Sequence, residues 1–141
     1  MERPAYALYP RRMVSWILAV LGLFVLQTLL PPSIRYLSAK EGLGARLGLA
    51  LGPRDVQPPM PPLGARAQRA LANLGEAMPV FLTLALLHLH FGLVVGRGPA
   101  VFFVARVLYV PAYLTGVPGV RSAVWVGSWV GLAMMLAPFL R

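Results

Sequence analysis

Cysteine is absent from this chain of 141 residues. That excludes disulfides, thiolate metal sites and a protein thiol nucleophile, so any sulfur chemistry must arrive on a bound small molecule. Histidine is scarce: His88 and His90 are the only two, and on a helix they point about 200° apart, so no shared metal site is expected. Charge is also low. Charged residues make up 12% and hydrophobic residues 58%, against about 25% and about 45–50% in ordinary soluble domains, which makes lipid the natural solvent. The net charge of +9 comes without a basic run interleaved with aromatics, so nucleic acid is not an expected partner. The basic residues instead decorate helix ends and loops, as topology determinants do. The first apolar stretch contains no carboxylate, which argues against a small proton-coupled exporter needing an acid at membrane depth.

What is present is apolar sequence in long runs. Stretches 13–30, 77–95, 99–120 and 122–140 each hold about 18–22 residues, enough to cross a hydrocarbon core of about 30 Å. The fold class expected is all-α: a four-helix transmembrane bundle forming a single membrane domain over 1–141. Transmembrane helices are expected at about 13–30, 65–95, 99–115 and 121–140, with a long loop at about 31–63. Pro31-Pro32 is expected to interrupt the first helix, because proline lacks an N–H and disfavours a helical residue before it. The segment 33–51 then resumes as a short amphipathic piece at the interface. The proline-rich run GPRDVQPPMPP lacks periodicity and reads as loop. Gly96-Arg97-Gly98 closes the second helix, and GVPG at 116–119 makes the last turn. Pro79 and Pro111 fall inside helices, as membrane helices tolerate. No internal repeat is found.

Neighbouring helices joined by short loops lie antiparallel. Gly127 and Gly131 give a small-xxx-small spacing that permits close helix approach. Trp16, Trp125 and Trp129 read as lipid-facing, packing or interface residues. Arg11-Arg12 ahead of an apolar core resembles a signal peptide. No small-x-small site follows Leu30 and the core is long enough to span, so a retained helix is expected. The long-loop side carries Arg35, Lys40, Arg46, Arg54, Arg66, Arg69 and Arg121, and the other side Arg3, Arg11, Arg12, Arg97 and Arg141. The count favours the long loop in the cytoplasm, while the Arg11-Arg12 pair pulls the other way.

The polar residues inside or beside the spans are the site candidates. Arg66, Arg69, Asn73 and Glu76 open the second helix within an arc of roughly 80°. In the third, Arg106, Tyr109 and Tyr113 project within about 60° of one another. Arg106 is the one full charge deep in an apolar stretch, and Glu76 is its expected partner across the antiparallel interface. Two readings stand side by side: a buried ion pair that fixes helix register, with tyrosines as ordinary packing, or a ligand site, since intramembrane ionisable groups pair, line a wet cavity or hold a ligand. Arg121-Ser122 begins the fourth helix on the same side. Arginine forks match carboxylates bidentately, and a cation beside a thiol favours the thiolate. Such a site suits a small acidic peptide carrying a thiol, as glutathione does.

The combination Arg66-x-x-Arg69-Ala70-x-x-Asn73-x-x-Glu76, Arg106-x-x-Tyr109-x-x-x-Tyr113 and Arg121-Ser122 resembles the MAPEG family, the membrane-associated proteins of eicosanoid and glutathione metabolism. The resemblance spans about 64–140. It implies a homotrimer that binds glutathione between neighbouring subunits, in an integral, multi-pass protein of a bacterial inner membrane. By motif position Arg69, Asn73 and Glu76 grip glutathione from the second helix, with Arg66 beside them. Tyr109 and Tyr113 bind it from the third, Arg106 lies one turn before them, Arg121 activates the thiol and Ser122 sits next to it. Arg35 is a further candidate at the end of the first helix, and Asp55 in the loop reads as a solvated turn residue or a cap on the site. Ala72 stands where the prostaglandin synthase branch has another arginine. The loop GPRDVQPPMPP and Trp125 look more like a bacterial branch.

The function expected from the resemblance is a glutathione-dependent transferase or peroxidase acting on apolar electrophiles or lipid hydroperoxides from the bilayer. The alternative is a non-catalytic lipid-binding or scaffold protein of the same fold.

Overall fold

In the computed structural model, which describes residues 9–53, 55 and 57–140, the chain is helical throughout, and no strand forms among the described residues. Arg3, Arg54 and Arg141, counted above among the topology charges, lie outside them. Helix α1 runs Tyr9–Leu37, α2 Leu43–Leu51, α3 Pro62–His90, α4 Gly98–Thr115 and α5 Pro118–Leu136, followed by a 3-10 turn at Ala137–Leu140. Four of the helices are long and apolar enough to cross a membrane. Much of their apolar surface, including Leu18, Leu26, Leu29 and Val104, faces outward, as a lipid solvent permits.

The contacts give the register. On α3 and α4, Arg66 meets the carbonyl of Leu114, Asn73 meets Arg106, and Phe81 stacks on Phe102 at 4.7 Å between centroids. The numbers run in opposite directions, so the two helices are antiparallel. Arg12 shares a recess with Arg97, and Trp16 lies against Phe103 at 5.8 Å between centroids; the numbers rise together, so α1 and α4 are parallel. Met13, Val20, Leu74, Phe81, Phe102, Leu132 and Met135 form the shared core.

Several boundaries depart from expectation. Pro31-Pro32 does not end the first helix, which continues to Leu37. Proline's fixed φ is itself helical, and the bonds lost are those to the carbonyls one turn earlier, a loss that membrane helices accommodate locally. Arg46 then closes the helix, donating from Nη1 to the Leu37 carbonyl at 3.1 Å and from Nε to that of Glu41 at 2.6 Å. The amphipathic segment forms as α2, with no buried residue and with Leu43, Leu47 and Leu51 exposed. Helix α3 stops at His90 instead of near residue 95. Gly92 takes φ +62°, Leu93 N–H donates to the His88 carbonyl and Gly92 N–H to that of Leu89, a Schellman termination. Pro79 and Pro111 lie within unbroken helices.

The α4–α5 pair packs most closely. A Cβ on Gly131 would lie 2.6 Å from the Phe102 nitrogen and 2.9 Å from its Cα, so the helices meet backbone to backbone. Gly131→Val is therefore expected to destabilise by about 1–3 kcal/mol, the usual cost of overpacking. Gly22→Ala, at a position with nothing within 4 Å, should be nearly neutral. Thermal unfolding of both variants in one detergent checks the contrast.

Candidate functional site

Arg106 sits near the middle of α4, nine residues from Thr115, which at 1.5 Å per residue is about 14 Å from the helix end. Its side chain is 1% exposed. Nη1 donates to Asn73 Oδ1 on α3 at 2.6 Å, while Nε and Nη2 have no hydrogen-bond partner among the described residues. The rings of Phe102 and Tyr109 lie 5.3 and 5.7 Å from the guanidinium carbon, within reach of a cation–π attraction. The expected pairing with Glu76 is not what forms: the hydrogen-bond partner is Asn73, and Glu76 is exposed. The guanidinium is thus a full charge inside an apolar bundle, held by one neutral amide.

Beside it, a recess of about 290 Å³ is lined by Asn73, Tyr109, Tyr113, Arg121, Ser122 and Trp125. Tyr109 and Tyr113, one turn apart, are 5.3 Å between centroids. The Arg121 guanidinium stands 5.3 Å from the Tyr113 ring. Three helices therefore bring an amide, two phenols, a hydroxyl and a cation to one place, with Arg106 buried behind. Donors and positive charge so arranged suit an anionic ligand.

The other candidates lie elsewhere. Arg66 donates from Nη1 to the Leu114 carbonyl at 2.8 Å and packs where Gly116 turns left-handed (φ +77°). It closes the end of α4, where a cation is favoured by the helix dipole. Arg69 and Glu76 are exposed and line no part of the recess. Arg35 donates to Gln57 Oε1 and ties the long loop to α1, away from the recess, and Asp55 is exposed in a turn. His88 is buried, with Nδ1 2.9 Å from the Leu84 carbonyl and its ring against Phe139.

Two residues escaped the sequence reading. Trp125, which the sequence reads as a lipid-facing, packing or interface residue, lines the recess; its position one turn after Arg121 is the signal that places it there. Gln27 on α1 is 5% exposed with Oε1 unpartnered, and the signal was a lone amide inside an apolar span.

Four long apolar helices and charge confined largely to their ends define an integral, multi-pass membrane protein. The sequence model of the MAPEG family matches residues 13–140, nearly the whole chain, and the chain belongs to that family. No curated protein and no solved structure matches it.

Removing the single acceptor of Arg106 isolates its worth. Asn73→Leu is expected to lower stability by about 1–3 kcal/mol by leaving the buried cation wholly unbonded, whereas Asn73→Asp keeps an acceptor and supplies a counter-charge. Chemical or thermal unfolding in detergent separates them, and equal stability of the two variants would show that Asn73 does not hold Arg106.

Proposed function

We propose that this protein is a glutathione-dependent transferase or peroxidase, working as a homotrimer in a bacterial inner membrane on apolar electrophiles or lipid hydroperoxides. One observation carries the reading: Arg106 is buried with two of its nitrogens unpartnered, directly behind a recess that Arg121 makes more positive. A cation at that depth calls for an anion, and guanidinium forks fit carboxylates. Glutathione supplies both the carboxylates and the thiol that a cysteine-free chain lacks.

On this reading each side chain has a defined task. Arg121 places positive charge beside the sulfur and favours the thiolate, as neighbouring cations do for cysteine. The hydroxyls of Tyr109, Tyr113 and Ser122 steady that sulfur by hydrogen bonding. Asn73 and Arg106 orient the acidic backbone of the tripeptide, and Trp125 walls the recess towards the lipid. Arg69 and Glu76, exposed on the single chain, grip the ligand where a neighbouring subunit closes over it. Arg66 keeps its bond to the end of α4 and so holds Tyr113 in place. The apolar co-substrate enters sideways from the bilayer.

Arg121→Ala tests the assignment. Helical content and assembly should be unchanged, while glutathione turnover with an aryl halide falls by about tenfold for each pK unit by which the thiol rises. The ultraviolet absorbance of bound thiolate, followed as glutathione is titrated, should disappear together with turnover. Unaltered turnover would overturn the role of Arg121. Binding without turnover in the unmodified protein would mark the non-catalytic, lipid-binding alternative.

A further inference from the structure

The opposite end of the bundle carries a second constellation. There α1 and α4 both begin, and a recess of about 490 Å³ is lined by Arg12, Ser15, Trp16, Gly96, Arg97 and Ala100 among others. Arg97 and Ala100 also border a groove of about 560 Å³ between α4 and α5, walled by Val101, Val104, Leu108 and Val124. The polar recess and the apolar groove therefore adjoin at Arg97 and Ala100. From Ala100 to Leu108 the groove follows α4 for about 12 Å.

Among the described residues, no acid balances the charges at this end. Arg12 and Arg97 are exposed and have no hydrogen-bond or ion-pair partner among the described residues. The described acids are Glu41 and Asp55, at the other end, and Glu76, midway along α3. Trp16, half-buried against Phe103, lies one turn along α1 from Arg12, and tryptophan favours a membrane interface. Two arginine forks, an indole and an adjoining apolar groove match a phosphodiester with an acyl chain attached.

We propose that this end of the protein binds an anionic glycerophospholipid. The headgroup phosphate lies between Arg12 and Arg97, and one acyl chain runs along Val101, Val104 and Leu108 against Val124. The charge complementarity selects the headgroup, and the groove sets the depth and direction of the chain. The site is independent of the glutathione reading, since it shares no residue with the recess around Arg121.

Native mass spectrometry of protein exchanged between nanodiscs containing phosphatidylglycerol or phosphatidylcholine reads the preference. The unmodified chain should retain phosphatidylglycerol over phosphatidylcholine by about tenfold or more. The double variant Arg12→Gln, Arg97→Gln should lose that preference, and Val104→Trp, which fills an outward-facing groove, should reduce retention of both lipids. Glycerol 3-phosphate, a headgroup without chains, should not compete. Equal retention of the two lipids, an unaffected double variant, or full competition by glycerol 3-phosphate each overturns the proposal. So does efficient disulfide cross-linking of Val104→Cys between copies, because the groove would then be covered by a second chain.

Discussion

The bond between Arg106 and Asn73 is the constraint from which most of the architecture follows. A guanidinium halfway along a membrane helix demands a partner, and among the described residues its one hydrogen-bond acceptor is an amide on the neighbouring helix. That one contact sets the relative depth of α3 and α4 and agrees with the stacking of Phe81 on Phe102 and with the Arg66 bond to Leu114. It also leaves two N–H-bearing nitrogens buried and unsatisfied. Buried donors without partners are costly, so the fold stores an unmet demand for negative charge beside the recess that Tyr109, Tyr113 and Arg121 line.

The two ends of the bundle divide their polar work. On the side where α4 ends, arginines are spent on backbone carbonyls: Arg66 on Leu114 and Arg46 on Leu37 and Glu41. The bonds to Leu114 and Leu37 satisfy helix C-termini that would otherwise face a poorly solvating boundary, and the bond to Glu41 holds the turn into α2. On the side where α4 begins, Arg12 and Arg97 make no such bonds among the described residues. Cations at both boundaries therefore differ in kind, some serving the chain itself and others left to meet what surrounds it.

Much of this was legible in the sequence. The four spans and their all-α class followed from the lengths of apolar runs, and Arg106 stood out as a charge where none is free of cost. The close approach of α4 and α5 at Gly131 was visible in the glycine spacing. The partner of Arg106 was not, because Asn73 and Glu76 share a face and differ by about 4.5 Å along the axis; periodicity gives the face of a helix, not its offset against another. Pro31-Pro32 misled for a related reason: its helix-breaking habit belongs to chains whose freed carbonyls can turn to water. The end of α3 was overshot because Leu93, Val94 and Val95 prolong the apolar run, whereas the termination depends on the left-handed turn at Gly92. Trp125 joined the recess through its turn spacing from Arg121, a relation that hydropathy ignores.

The glycine seam between α4 and α5 has a mechanical consequence. Because the two backbones touch at Gly131 and Phe102, the tyrosines and Arg121 ride on a single stiff plate, while Asn73 rides on a separate one. Thermal breathing of the recess must then occur as α3 slips against that plate, which makes the Arg106–Asn73 bond the latch of a sliding joint.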